Sequence, residues 1–140
     1  MIIVLDSNVI ISGVLKPYSP SGAILRFAAE GILRVAYDLR ILAEYRDVLT
    51  RPKFNFSQAI VDAFLAQIEQ EGILVSPRLS KFHLSDPDDD PFLEVALAIN
   101  AMAIITGNKR HFPQKEYEGV KILSPAEFLK HIERLHKKGL

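Results

Sequence analysis

The chain has 140 residues, 49% of them hydrophobic and 24% charged, which is enough to bury a full core and gives no sign of disorder. Lys+Arg and Asp+Glu number 17 each, so the formal net charge is zero, which argues against wholesale coating of nucleic acid while still allowing local blocks of charge. With no cysteine there is neither a disulfide nor a thiolate zinc site, which fits a cytoplasmic protein; no apolar run approaches the roughly 20 residues of a membrane span, and the N-terminus lacks the basic start of a signal peptide.

Met1 to Leu5 (MIIVL) is a continuous apolar, β-branched run, the mark of a strand buried on both faces of a parallel sheet. Asp6 follows at once. In open α/β sheets ligands bind outside the carboxyl ends of the strands, so Asp6 points into the expected site; the plainer alternative is an N-cap for a helix beginning near Asn8. Asn8 to Leu15 and Ser21 to Glu30 read as two helices, separated by KPYSP, whose prolines break any continuous helix. Arg34 to Tyr37 is a second strand, and Asp38 caps a helix running to about Thr50, before Pro52. Ile41, Leu42, Tyr45, Val48 and Leu49 form its apolar face. On that wheel Glu44 falls at the border of the face and Asp47 points outward, so Glu44 is the acid placed to look into a cleft, or else an ordinary rim residue.

Ser57 to Gln70 is an amphipathic helix ended by Gly72, and Ile73 to Val75 a third short strand. Then comes DPDDDPFLEVALAINAMAIITGN, from Asp86 to Asn108. Asp86, Asp88, Asp89 and Asp90 run into Pro91, which suits the first position of a helix and makes Asp90 a candidate N-cap. The helix from Phe92 to Ile99 is apolar around most of its circumference, hence buried, and Ala103 to Thr106 reads as a buried strand stopped by Gly107 and Asn108. Carboxylates crowded together gain from a cation, and hard oxygen ligands select Mg²⁺ or Mn²⁺; the alternative is a solvated acidic loop that caps a helix. Lys121 to Leu123 is a last strand, and SPAE at Ser124 to Glu127 is a capping box that starts a helix running to about His136. His83, His131 and His136 read as surface residues.

Strands and helices alternate throughout, which predicts a three-layer α/β/α sandwich around a central parallel sheet, one domain over 1–140. Parallel strands bring Asp6, Asn108 and the acidic loop to one edge, with Glu44 facing it. The set contains neither Cys nor paired His, which argues against zinc.

Four segments in series, VLDSNVIISG, ILAEYRDVL, DPDDDPFLEVALA and IITGNKRHFP, spanning positions 4 to 113, resemble the PIN-domain family, and most closely its VapC-like toxin components of toxin-antitoxin pairs. The resemblance implies a metal-dependent endoribonuclease using Mg²⁺ or Mn²⁺. Its first acid falls on Asp6, its second on Glu44, and its third on Asp89 or Asp90; Asp89 is favoured by its seven-residue spacing to Ala96, with Asp90 as cap and auxiliary ligand. The fourth position, often Asp in the family, is Asn108 here, which removes one negative charge. Asn8 and Thr106 match polar positions that support the first and fourth ligands. Lys109, Arg110 and His111 are candidates to hold substrate phosphates, or form an ordinary solvated turn. Single-stranded or looped RNA is the implied substrate, since a duplex hides its bases from a shallow cleft. A cognate antitoxin and a homodimer or higher homo-oligomer are the implied partners. Phe54, Phe56 and Phe64 exceed what one local core needs and suggest the self-association surface. The alternative is a PIN domain that has lost activity and serves as an RNA- or protein-binding adaptor. A haloacid-dehalogenase-like phosphatase is disfavoured, because it places a second Asp where this chain has Asn8.

Overall fold

The apolar N-terminal run becomes the centre of the sheet. In the computed structural model, which describes residues 1–77 and 79–138, Ile3, Val4 and Leu5 are wholly buried. The elements follow in the order β1 (Ile2–Leu5), α1 (Ser7–Leu15), α2 (Pro20–Ala29), β2 (Arg34–Tyr37), α3 (Leu39–Leu49), α4 (Gln58–Glu71), β3 (Ile73–Leu74), α5 (Asp90–Ile99), β4 (Ala103–Ile105), β5 (Glu116–Tyr117), β6 (Val120–Leu123) and α6 (Pro125–Lys137). The six strands form one sheet in the order β3-β2-β1-β4-β6-β5, parallel except for β5, within the expected α/β/α sandwich.

β1 has β2 on one side and β4 on the other, so the strand order reverses between β1 and β4. Such a switch point opens a crevice at the carboxyl ends of the two strands. Leu5 and Ile105 are partners in register, so the residues just after them, Asp6 and Thr106, emerge side by side into that crevice.

Short polar residues at the helix starts do the local work. Asp38 accepts from the Ile41 amide at 2.9 Å, and Ser124 forms the expected capping box, accepting from the Glu127 amide at 3.1 Å while its own amide donates to Glu127 Oε1 at 2.9 Å. These bonds satisfy amides that have no partner inside the helix. The expected cap at Asp90 is not formed. Pro87–Asp89 make a 3₁₀ turn, with Asp86 Oδ1 accepting from the Asp88 amide at 2.9 Å, and Asp90 is already the first residue of α5. Pro87 starts that turn for the reason given for Pro91: its missing N–H is not needed there.

Two buried aromatics fix α3 and α5 against β1. Tyr45 is fully buried and its hydroxyl donates to the Leu5 carbonyl at 2.6 Å; its ring meets Phe92 of α5, with centroids 6.4 Å apart. The residue before Tyr45 is Glu44, and Phe92 lies three residues after Asp89. Packing around one strand end therefore positions the acids of two helices beside Asp6.

The antiparallel β5 was not expected from the sequence. It is a two-residue strand joined to β6 by Glu118 and Gly119, both at positive φ (49° and 92°), the backbone twist that suits a tight hairpin. The three phenylalanines proposed as a self-association surface take different local settings. Phe54 and Phe56 stack on each other, whereas Phe64 packs against the core beside Leu25 and Ala28.

Candidate metal centre at the carboxyl edge of the sheet

Asp6 leaves β1 at the switch point with 4% of its surface exposed. Its backbone starts α1, but its side chain makes no cap bond. Instead Oδ2 accepts from Thr106 Oγ1 at 2.8 Å and Asn8 Nδ2 at 3.2 Å, and lies 2.9 Å from His111 Nδ1. Asn8 in turn accepts from the Gly107 amide through Oδ1 at 2.8 Å, which ties the start of α1 to the loop after β4. Thr106, wholly buried, also accepts from the Asn108 amide at 3.0 Å. Asn8 and Thr106 thus orient the first acid, and Asp6 Oδ1 carries no hydrogen bond among the described residues.

The 3₁₀ turn before α5 delivers the second acid. Asp89 is 7% exposed, and an oxygen of it lies within 4.8 Å of both an Asp6 oxygen and a His111 nitrogen; Oδ1 stands 3.8 Å from His111 Nδ1. Its carboxylate accepts no hydrogen bond among the described residues. Burial first, then the charges of Asp6, Asp86 and Glu44, pushes Asp89 up to about 6 against the opposing pull of His111. Glu44, half-buried on α3, completes the set from the other wall; burial, with Asp6 and Asp88, raises its pKa, while a hydrogen bond from Ser7 Oγ to Oε2 works the other way.

These groups line a solvent-open cleft of about 420 Å³, together with Asp86, Asp88, Ile11, Val48, Arg51 and Phe54. Five carboxylates face one another across it, and burial raises the pKa of two of them, Glu44 and Asp89. Such a donor set, with one imidazole nitrogen, fits a divalent cation, which would relieve the repulsion.

Other candidates fall elsewhere. Asp90, one residue on from Asp89 and so about 100° further round the helix axis, does not line the cleft. Asn108 is exposed and turned to its own loop: Oδ1 accepts from the Arg110 amide at 3.1 Å, capping a 3₁₀ turn at Lys109–His111, and Nδ2 lies 3.3 Å from His111 Nε2. Lys109 pairs with Glu127 at the start of α6, and Arg110 lies outside the cleft lining. What reaches the acids is His111, because residues i and i+3 of a 3₁₀ turn eclipse, which sets its ring beside the Asn108 amide and brings Nδ1 to Asp6. Burial lowers its pKa, but the bond to Asp6 and the charges of Asp6, Asp89 and Asp86 outweigh this and raise it. Ser7 was also missed. Its signal was only that it follows Asp6, since its partner Glu44 is 37 positions away.

Asp89→Asn tests the electrostatics directly. The folded state holds the Asp89 proton more tightly than the unfolded chain does, so this contribution to stability is complete below the ordinary value of 3.8 and is lost as pH rises to about 6. Above that the ionised carboxylate costs stability. The metal-free Asn variant is therefore expected to be more stable than wild type by about 1–2 kcal/mol at neutral pH, with the gap closing toward pH 4. Urea titrations in EDTA across this range read it; a gap independent of pH would count against the description.

An α/β/α sandwich with a carboxylate-lined cleft at the switch point of its sheet has that cleft where open α/β sheets bind their ligands. The chain belongs to the PIN-domain family: the family model described as PIN domain matches residues 2–110. A solved assembly, VapBC2 from Rickettsia felis bound to a DNA fragment from its promoter, contains a similar chain, with a TM-score of 0.55 at 20% identity over 87% of this chain and 97% of that one. No curated protein matches the chain.

Proposed function

We propose that this protein is a Mg²⁺- or Mn²⁺-dependent endoribonuclease that cuts single-stranded or looped RNA and acts in the cytoplasm as the toxin of a toxin-antitoxin pair. The observation that carries the reading is the convergence of Asp6, Asp89 and His111 within 4.8 Å, with Glu44 in the same cleft. Asp6 and Asp89 would hold the ion. When bound, the ion supplies charge neutralisation at the phosphate and activation of water.

The protein's own groups do the rest. Asn8 and Thr106 keep the Asp6 carboxylate in one orientation. Ser7 holds Glu44 through Oε2 and leaves Oε1 to take up the proton of the attacking water. His111 donates to Asp6 from the loop after β4. Membership of the PIN family supports the nuclease class, and the similarity to a chain of a VapBC2 assembly is in keeping with a partner protein. A homodimer belongs to the same proposal and is read by sedimentation.

Cleavage of a single-stranded RNA pool is expected with Mn²⁺ or Mg²⁺ and is expected to fall to background in EDTA, returning when the metal is restored. Activity that survives EDTA would exclude the metal-dependent mechanism. RNA or antitoxin binding with no cleavage under any metal would favour the adaptor reading.

A further inference from the structure

The acidic cleft has one wall of a different character. Glu44, Val48 and Arg51 line it together, Glu44 and Val48 one turn apart on α3 and Arg51 just past its C-terminal end. Phe54 lies beyond Arg51 on the same wall. Among the described lining residues Arg51 alone bears a permanent positive charge, facing Asp6, Glu44, Asp86, Asp88 and Asp89 and the titratable His111.

Phe54 is placed as a platform rather than as core. Phe56 packs against the core; Phe54 stacks on it with ring centroids 5.6 Å apart and planes 10° from parallel. Asn55 between them takes a left-handed conformation (φ 51°), which Asn tolerates better than most residues. Lys53 Nζ stands 5.0 Å from the Phe54 centroid. Arg51 is committed only to an exposed pair with Asp47 at 3.2 Å, in which the two side chains are 49% and 72% exposed. A pair of that kind opens at little cost.

We propose that Arg51 and Phe54 form the subsite for a nucleotide adjoining the scissile phosphate of a single-stranded RNA, Arg51 holding a phosphate and Phe54 stacking the base. The proposal rests on the ribonuclease reading above. A flat ring supported from behind, with the Lys53 ammonium over it and the Arg51 guanidinium lining the same cleft, matches how proteins take up single strands, by base stacking along a cationic track. It also gives the substrate a route into a cleft whose other walls are acidic. Lys109 is paired with Glu127 and Arg110 lies outside the cleft, so the basic turn after β4 does not provide that route.

The sequence contains no tryptophan, so Phe54→Trp introduces a single fluorescent reporter. A labelled single-stranded RNA of about 12 nucleotides serves as the probe, in EDTA so that it stays intact. Phe54→Trp is expected to bind it as wild type does, with quenching of the tryptophan emission, and Phe54→Ala to bind about 5- to 100-fold more weakly. Arg51→Gln should weaken binding and reduce the slope of log affinity against log salt by about 0.7, whereas Phe54→Ala should leave the slope unchanged. With Mn²⁺ the losses should appear in KM rather than kcat. Equal affinities of wild type and Phe54→Ala, no quenching, no RNA binding by wild type, or losses confined to kcat would each overturn the subsite. RNA that binds and quenches but is never cut under any metal would instead remove the ribonuclease reading and leave the subsite standing.

Discussion

Asp6→Ala is expected to lower RNA cleavage at least about 100-fold, a loss of some 3 kcal/mol of transition-state stabilisation, while the domain stays folded. Asp6 gathers Thr106, Asn8 and His111 on one oxygen and lies beside Asp89, with Glu44 in the same cleft. Its removal takes away a ligand and disorganises the rest. The effect on stability is nearly balanced. Thr106 and His111 lose an acceptor, which costs about 1–3 kcal/mol for a buried donor, but Thr106 Oγ1 has the Asn108 carbonyl within 3.1 Å as a substitute, and the repulsion among the remaining acids falls. Cleavage assays with Mn²⁺ alongside circular dichroism melts separate the two effects. Asp62→Ala, an exposed acid on α4, is the control expected to cut normally. An Asp6→Ala protein that cuts RNA at the wild-type rate would sink the mechanism.

The largest expected effect on stability lies at Tyr45. Tyr45→Ala should cost about 3–5 kcal/mol, the range for deleting a buried aromatic, because the ring is fully enclosed and holds α3 and α5 together through Phe92. Tyr45→Phe isolates the hydroxyl. It strands the Leu5 carbonyl, previously bonded at 2.6 Å, and should cost about 1–3 kcal/mol. Leu5 is the residue before Asp6, so the Phe variant is also expected to lose activity under conditions where it is fully folded. Urea midpoints measured with cleavage at low denaturant decide this; a Phe variant with unchanged midpoint and activity would show that the bond contributes nothing.

Features set by local pattern were legible in the sequence. The run at Ile2–Leu5 had to be a buried strand, Asp38 and Ser124 had to cap, and Glu44 fell at the edge of an apolar face because helix phase is a matter of counting. Asp6 was placed by the rule that sites lie beyond strand ends, and Asn8 by the resemblance to the PIN-domain family. The misreadings come from turns, where one residue changes direction by a large angle. A 3₁₀ turn at Pro87–Asp89 points Asp89 inward and carries Asp90 out of the cleft, and a second 3₁₀ turn after Asn108 spends that side chain on a cap and sends His111 to Asp6 instead. Contacts across 37 and 105 positions, Ser7 to Glu44 and Asp6 to His111, carry no periodic signal. β5 escaped notice because two residues are too few to show alternation.

The sheet terminates on both sides in two-residue strands, β3 at one margin and β5 at the other. An unpaired margin is a template for further strands, and its hazard grows with its length. Margins this brief offer an incoming backbone one or two pairings, too few to repay the entropy of aligning it. Edge-to-edge accretion between copies is thereby discouraged, which favours helix and loop surfaces over continuation of the sheet from one molecule into the next.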